Sequence, residues 1–327
     1  NMADLAAQVA ANNTGIVEIN AMIEQFGIET VHSYMNHVQD NAEECIRNAI
    51  VNLKEGKYEY ELDNGEYIRV RITIDKIKRE ATIDFSGTAP KNPFNYNAPM
   101  AVCHAVILYV FRTLVGNNIP LNEGCFKPLN IIIPNNSMIN AKYPSAVIAG
   151  NTEVSQLTCN ALFGALGVIA GSQATMNNFI WGNDKIQNYE TICGGTGAGP
   201  NFHGTSAVQT HMTNTRSTDP EILEARFPVR LEEYSIRKNS GGKGMFNGGD
   251  GVTRKLRFLE PMTVTTLCSH RKVQPFGING GEPGQCGKEW LEKKDGKFIR
   301  LEGNDSCEVK VNDLFVMETP GGGGYGS

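Results

Sequence analysis

The chain has 327 residues, 40% of them hydrophobic and 20% charged, and a formal net charge of −5. This is long enough to bury a sizeable core in one large or two ordinary domains, and the composition excludes a disordered chain. The mild acidity excludes a nucleic-acid footprint. No polybasic run marks a membrane surface, and no apolar run reaches the roughly 18–20 residues of a spanning helix.

In chain order, Asp4 reads as the N-cap of a helix whose apolar face is Leu5, Val9, Ile16, Ile19, Ile23 and Phe26, with Gly27 as its stop. A second helix carries Val31, Tyr34, Met35, Val38, Cys45, Ile46 and Ile50, and the pair reads as a helical hairpin. From Tyr58 the period becomes two, and Asp63-Asn64-Gly65 turns a hairpin. With Ala81 to Phe85 this makes a three-stranded antiparallel meander. Asn97 to Val115 and Thr152 to Ile169 read as buried helices, the second capped by Asn151 or Thr152 with Glu153 in its first turn. Leu129 to Ile133 is a short buried strand. Strands are then expected at 189–193, 232–237, 252–258, 263–269, 297–301 and 308–317. The fold class is α+β, mixing helices with antiparallel strands and ending in a β-rich, Gly-rich third. A division into 1–185 and 186–327 is the coarsest reading of the organisation.

The eight cysteines include no C-x-x-C pair, which leaves no zinc ribbon or redox dithiol and fits reduced thiols in a cytoplasmic protein. Asp4 and Gln8 stand where a signal peptide needs apolar residues. Asn1 is not an initiator and lies against a helix start, so processing, truncation or separation from a longer chain is expected there.

Several groups have site chemistry. The run from His211 to Glu221 combines an imidazole, Asn214, Arg216 and two carboxylates. An arginine fork and an amide suit a compact carboxylate substrate, and a histidine suits a base near pH 7. The plainer reading is a solvated loop followed by a helix, with Asp219-Pro220-Glu221 as N-cap, N1 and N2. Glu153 is either a helix-dipole partner or a carboxylate at a cleft edge. His203 lies eight positions before His211 across a turn, but no H-x-x-x-H pattern marks a metal site. The loop 194–199 and the Gly242-Lys243-Gly244 run lack the Gly-Lys-Ser/Thr ending of a phosphate loop, so turns and close packing compete with an anion cradle. Thr319 to Gly326 holds four consecutive glycines. These bring bare amides against a ligand or another chain, or else form a flexible end.

Several of these runs together resemble one family. They are Asp4 to Asn12, Asp84-Phe85-Ser86-Gly87-Thr88, Pro120 to Gly124, Thr175 to Asn178, Tyr189-Glu190-Thr191 with the 194–200 loop, His211 to Asp219, Gly248 to Gly251 with Arg254, and Thr319 to Gly326. In this order they resemble the hydantoinase B family, which includes the B-type subunits of N-methylhydantoinases and of acetone carboxylases and the C-terminal part of ATP-hydrolysing 5-oxoprolinase. Phe202-His203-Gly204 resembles the 5-oxoprolinase branch most. The resemblance implies a cyclic amide opened after an A-type partner, holding ATP, phosphorylates its carbonyl oxygen. Among the residues with site chemistry, His211 and Glu153 are the catalytic candidates, and Asn214, Arg216 and His203 the candidates for binding substrate. The family's metal-binding runs, Asn-Asp-Pro-Tyr with Gly-Thr-His-Leu-Pro-Asp and a later His-His-Ala-Asp, are absent. A divalent metal would then take its ligands mainly from outside this chain, from a preceding B-type segment, and activity would need that segment and the partner in one oligomer. Two alternatives stand beside this reading. One is a non-catalytic assembly domain that docks through its glycine loops and tail. The other is a subunit of a ketone carboxylase.

Overall fold

The computed structural model describes residues 2–116 and 118–327. Asn1, with the expectation attached to it, and Asn117 lie outside the described residues.

Helices α1 (Met2–Phe26) and α2 (Ile28–Ile50) both form. Asp4 lies inside the first turn of α1 instead of capping it. The hairpin does not form. Only Gly27, at φ 80°, separates the helices, whereas an antiparallel return needs a loop of about 2–5 residues. α1 buries none of its residues; α2 buries Val31 and then Ala42, Ile46 and Ile50, so its C-terminal half docks on the core.

β1 (Gly56–Glu61), β2 (Tyr67–Asp75) and β3 (Glu80–Asp84) make the expected meander, and β2 alternates buried and accessible positions along its length. A fourth strand, β4 (Leu129–Ile132), extends it by pairing parallel to β3. α3 (Met100–Thr113) starts after Pro99, which cannot donate a helical N–H. A π-helical turn, Gly150–Val154, precedes α4 (Ser155–Leu166). Asn151 and Thr152 therefore lie within an irregular turn and make no cap. Gly167 ends α4 in the left-handed conformation at φ 66°, before the expected Ile169. α4 is buried nearly all round between the meander and α3, as its lack of a polar face requires.

The second half holds two further sheets. In the order β12-β9-β5-β6, one contains β5 (Asn178–Gly182), β6 (Gln187–Thr191), β9 (Met262–Leu267) and β12 (Asn304–Val309). In the order β11-β10-β13-β8-β7, the other contains β7 (Val229–Arg237), β8 (Gly251–Phe258), β10 (Lys288–Glu292), β11 (Phe298–Leu301) and β13 (Leu314–Glu318). They pack face to face: Phe179 of β5 stacks on Phe315 of β13 at 4.7 Å, and Trp181 meets Phe258 edge-on. The single strand expected over 308–317 is two strands, turned at Asn312, which takes φ 72°. Asp219 caps α5 (Pro220–Arg226) through the N–H groups of Glu221 and Ile222, as the sequence indicated.

The terminal glycines are neither a flexible end nor a docking arm. Gly321 to Gly324 are buried. Their N–H groups bond in turn to the carbonyls of Gln285, Gly249, Gly171 and Glu282, so the fourth returns to the neighbour of the first. Three neighbours visited in three residues is the geometry of an extended three-residue-per-turn helix, not of a strand. Segments 194–199, 241–249 and 276–285 surround it. A Cβ at Gly322 would sit 1.9 Å from the carbonyl oxygen of Thr196, which explains why the run is glycine.

Candidate functional site

Two hydrophobic clusters fill the molecule. One is built from residues between Ala42 and Ala174, the other from residues between Phe179 and Met317. Between them runs a seam of buried polar side chains, and one face of α4 supplies its spine. Glu153, Gln156 and Asn160 are spaced at i, i+3 and i+7, so all three face the same way. Each is at most 1% exposed.

Glu153 sits in the π turn. Its Oε1 accepts the Met176 N–H at 3.1 Å and Asn178 Nδ2 at 2.8 Å, while Oε2 has no geometrically sound partner. Burial pushes its carboxyl up to about 7, against the opposing pull of Ser269, Thr175 and the Met176 N–H and the charge of Arg271. Asn178 Oδ1 in turn accepts Tyr189 OH at 2.7 Å. Ser269 lies next to Tyr96, whose hydroxyl is 3.2 Å from Ser269 Oγ. Tyr96 lines a depression of about 380 Å³ together with Leu62, Asp63, Phe94, Leu267 and Asn304. Ser269 and Tyr96 thus stand between the buried acid and this depression, with no hydrogen bond from Ser269 to the carboxyl among the described residues.

Two turns along α4, Asn160 organises a second cluster. Its Nδ2 donates to Tyr60 OH at 3.1 Å and to the Ser172 carbonyl at 3.1 Å, and its Oδ1 accepts the Ser172 N–H. His211 docks here: Nε2 is 2.8 Å from Ser172 Oγ and 3.2 Å from Asn160 Oδ1, and Nδ1 is 3.3 Å from Tyr109 OH. The Asn160 amide orientation assigns the proton to Nε2, so the lone pair of His211 faces Tyr109. Ser172 is thus an acceptor from the imidazole, and the pair is not a nucleophile with its base. Although His211 keeps part of its surface accessible, its ring nitrogens are enclosed, and burial lowers its pKa to about 4. His270 completes the cluster. Its Nδ1 meets the Val273 carbonyl and its Nε2 meets Tyr60 OH, and burial lowers its pKa as well.

Arg271 closes the seam from the second half. It pairs with the fully buried Glu289 and donates to Asn177 Oδ1 at 2.9 Å, and its backbone N–H bonds Asp63 in the β1–β2 turn. Burial works against its charge, but the Glu289 carboxylate more than offsets this and raises its pKa.

The sequence-expected residues are only partly brought together. Glu153 and His211 share the seam without touching, because they occupy different turns of the α4 face. His211 takes φ 47° in a turn closed by the Thr213 N–H on the Thr210 carbonyl; His211 and Thr213 bond into α4, and Thr215 bonds to Thr191, whereas Asn214 and Arg216 are exposed. His211 is held against α4 while Arg216 is exposed, so they do not converge on one point. Arg216 has no hydrogen bond or ion pair among the described residues. His203 is exposed on the glycine bundle, accepting the Asn247 N–H at 2.9 Å and lying edge-on to Phe246, and it is not joined to the seam. Tyr60, Asn160, Ser172, Asn178, Ser269 and Arg271 were not singled out from the sequence. Gln156 and Asn160 could have been found as polar residues at helical spacing from Glu153 in an otherwise apolar helix.

The glycine loops do not fit a phosphate. The N–H groups of Gly194, Gly195, Thr196, Ala198 and Gly199 are bonded to the carbonyls of Val208, Pro320, Thr205, Gly323 and Phe202, and Gly242 N–H is bonded to Gly322. An anion cradle needs those donors free. Among the described residues no group of three or more His, Cys, Asp or Glu side chains is placed to hold a metal ion, and no helix is long and apolar enough to cross a membrane. All eight cysteines are free thiols.

The profile described as Hydantoinase B/oxoprolinase matches residues 1–327. The 5-oxoprolinase of Dictyostelium discoideum is 42% identical over 336 residues, covering 100% of this chain and 26% of its own length. 5-Oxoprolinase 1 of Arabidopsis thaliana is 43% identical over 346 residues, covering 100% of this chain and 27% of its own length. The chain thus spans about a quarter of the length of these relatives. The fold is that of an ATP-dependent caprolactamase from Pseudomonas jessenii, with a TM-score of 0.84 at 22% identity over 99% of this chain and 60% of the other. By its full-length match, the chain belongs to the hydantoinase B/oxoprolinase family.

Proposed function

We propose that this chain is part of an ATP-dependent cyclic-amide hydrolase of the 5-oxoprolinase type, acting with an A-type partner and a further B-type segment. The observation that carries the reading is the 42–43% identity to two 5-oxoprolinases along the whole chain. Opening a lactam adds water at the carbonyl carbon, breaks the C–N bond and delivers a proton to the ring nitrogen. The partner's nucleotide would activate the carbonyl oxygen; the spent amides of this chain's glycine loops support assigning the nucleotide to the partner. Any divalent metal would likewise take its ligands mainly from the further B-type segment.

This chain's share is proton storage and positioning. A carboxyl that titrates at about 7 both gives and accepts a proton near neutrality, and Ser269 and Tyr96 lie between Glu153 and the surface depression. His211, lowered to about 4, stays neutral and fixes the 211–216 stretch against α4, from which Asn214 and Arg216 are offered to a substrate carboxylate. His203 would serve a substrate reaching the glycine bundle. The free thiols support a cytoplasmic setting.

The test is ATP-dependent glutamate formation from 5-oxoproline by the complete enzyme, with Glu153→Gln and Ser269→Ala beside the wild type. The wild type turns over, and both variants lose turnover while remaining assembled. A complete enzyme that turns over no 5-oxoproline overturns the substrate. Full activity of Glu153→Gln overturns the role of the acid.

A further inference from the structure

Three ionisable side chains are buried together where the two cores meet. Glu153 and Glu289 are wholly buried, and the side chain of Arg271 is 5% exposed. One guanidinium therefore stands against two carboxyls. Were both ionised, a net negative charge would lie out of water, with Oε2 of each acid lacking a sound partner. An unpaired buried charge costs far more than a buried neutral acid, so one of the two carboxyls keeps its proton.

The geometry decides which. Arg271 donates to Glu289 Oε1 through Nε at 2.7 Å and again through Nη2. Its other hydrogen bonds run to Asn177 Oδ1 at 2.9 Å and to the Ser269 carbonyl at 2.7 Å, and none runs to Glu153 among the described residues. Those bonds nonetheless grip the segments that hold Glu153. Asn177 lies between Met176 and Asn178, the two donors to Glu153 Oε1, and the Ser269 N–H bonds Thr175 Oγ1. Asp63 fixes the arginine in turn by accepting the N–H groups of Arg271, Lys272 and Val273. The other ionisable groups that interact with Glu153 are Tyr60, Tyr96, Tyr189 and Cys268. Burial raises all four, so each is neutral near pH 7 and Arg271 is the charge that acts on the acid. We propose that Glu289 keeps Glu153 an acid: by neutralising Arg271 at contact, it stops the guanidinium from drawing the proton off Glu153, and Arg271 is the positioning residue through which it acts. This deepens the role given to Glu153 above and rests on that reading for its bearing on catalysis.

The test is the titration of Glu153 in the 327-residue chain, read from the infrared band of the protonated carboxyl and assigned by its loss in Glu153→Gln. The wild type titrates at about 7. Glu289→Gln frees the charge of Arg271 and lowers the midpoint by about one pH unit or more. Arg271→Met with Glu289→Leu removes both charges and returns the midpoint to the wild-type value or above it, which a merely packing role would not do. A midpoint unmoved in Glu289→Gln, or lowered equally in the double variant, overturns the proposal. So does a wild-type Glu153 that is ionised wherever the chain is folded. If Glu289→Gln does not fold, the double variant decides alone: a midpoint at or above the wild type upholds the proposal, and one below it overturns it, since no cation remains to cause the fall. A complete enzyme that opens no lactam, or whose pH profile ignores these shifts, overturns the catalytic reading of Glu153 and leaves the titrations of the chain standing.

Discussion

Glu153 at the head of α4 and His211, docked two turns further along the same face through Asn160, have exchanged titration ranges. Burial raises the carboxyl from 4.5 to about 7 and lowers the imidazole from 6.5 to about 4. The residue that sequence logic offers as the neutral-pH base is thereby silenced at neutral pH, and the acid takes over that range.

Stability should follow both shifts with opposite signs. Glu153 holds its proton more tightly in the folded chain, so its contribution is intact below 4.5 and is lost as pH rises through about 7. His211 binds its proton less tightly when folded, so its contribution is intact above 6.5 and is lost as pH falls through about 4. Between the two unfolded values the slopes oppose. Glu153→Gln removes one of them and should gain about 3 kcal/mol on the wild type between pH 4.5 and neutrality. Urea melts across that range read the difference; parallel curves for the two proteins would contradict it.

Arg271 and Glu289 are both buried, so removing one strands the other. Glu289→Ala should cost about 3–5 kcal/mol, and Arg271→Met with Glu289→Leu should cost much less than either single change. A double-mutant cycle by denaturant unfolding measures this. A double variant whose cost equals the sum of the two single costs would show that the pair is not coupled.

The glycine bundle leaves no room for a methyl group at its axis. Gly322→Ala places a Cβ 1.9 Å from the Thr196 carbonyl oxygen and should abolish the native thermal transition, whereas Gly116→Ala, with nothing within 4 Å, should leave it unchanged. Calorimetry separates the two. A folded Gly322→Ala chain with native stability would mean that the bundle is not the core it is drawn as.

Arg216 is exposed and unpaired among the described residues. Arg216→Ala should therefore change stability by less than about 0.5 kcal/mol. If it grips a substrate carboxylate in the complete enzyme, KM should rise by about tenfold or more. An unaltered KM would remove Arg216 from the substrate site.

Much of the fold was legible in the sequence. Period-two alternation with Asn64-Gly65 marked the meander, continuous apolar runs marked α3 and α4, and Asp219-Pro220 marked a helix start. Those signals are local, and local backbone preferences decide them. Ordered motifs also carried the family across the whole chain. Other features were not local. The parallel docking of β4, the period-three packing of Gly321 to Gly324 and the failure of the α1–α2 hairpin depend on what each segment meets in space. The site divided in the same way. Glu153 and His211 were visible as chemistry-bearing residues, but their titration ranges were not, because a side chain's pKa is set by the dielectric and partners around it. Tyr60, Ser172, Ser269 and Arg271, far apart in the chain, became one seam only when the two cores closed on α4. The sequence by itself marked most of the helices and strands and the family. The tertiary structure decided which polar groups were taken out of water together, because desolvation acts on neighbours in space and leaves no periodic mark along the chain.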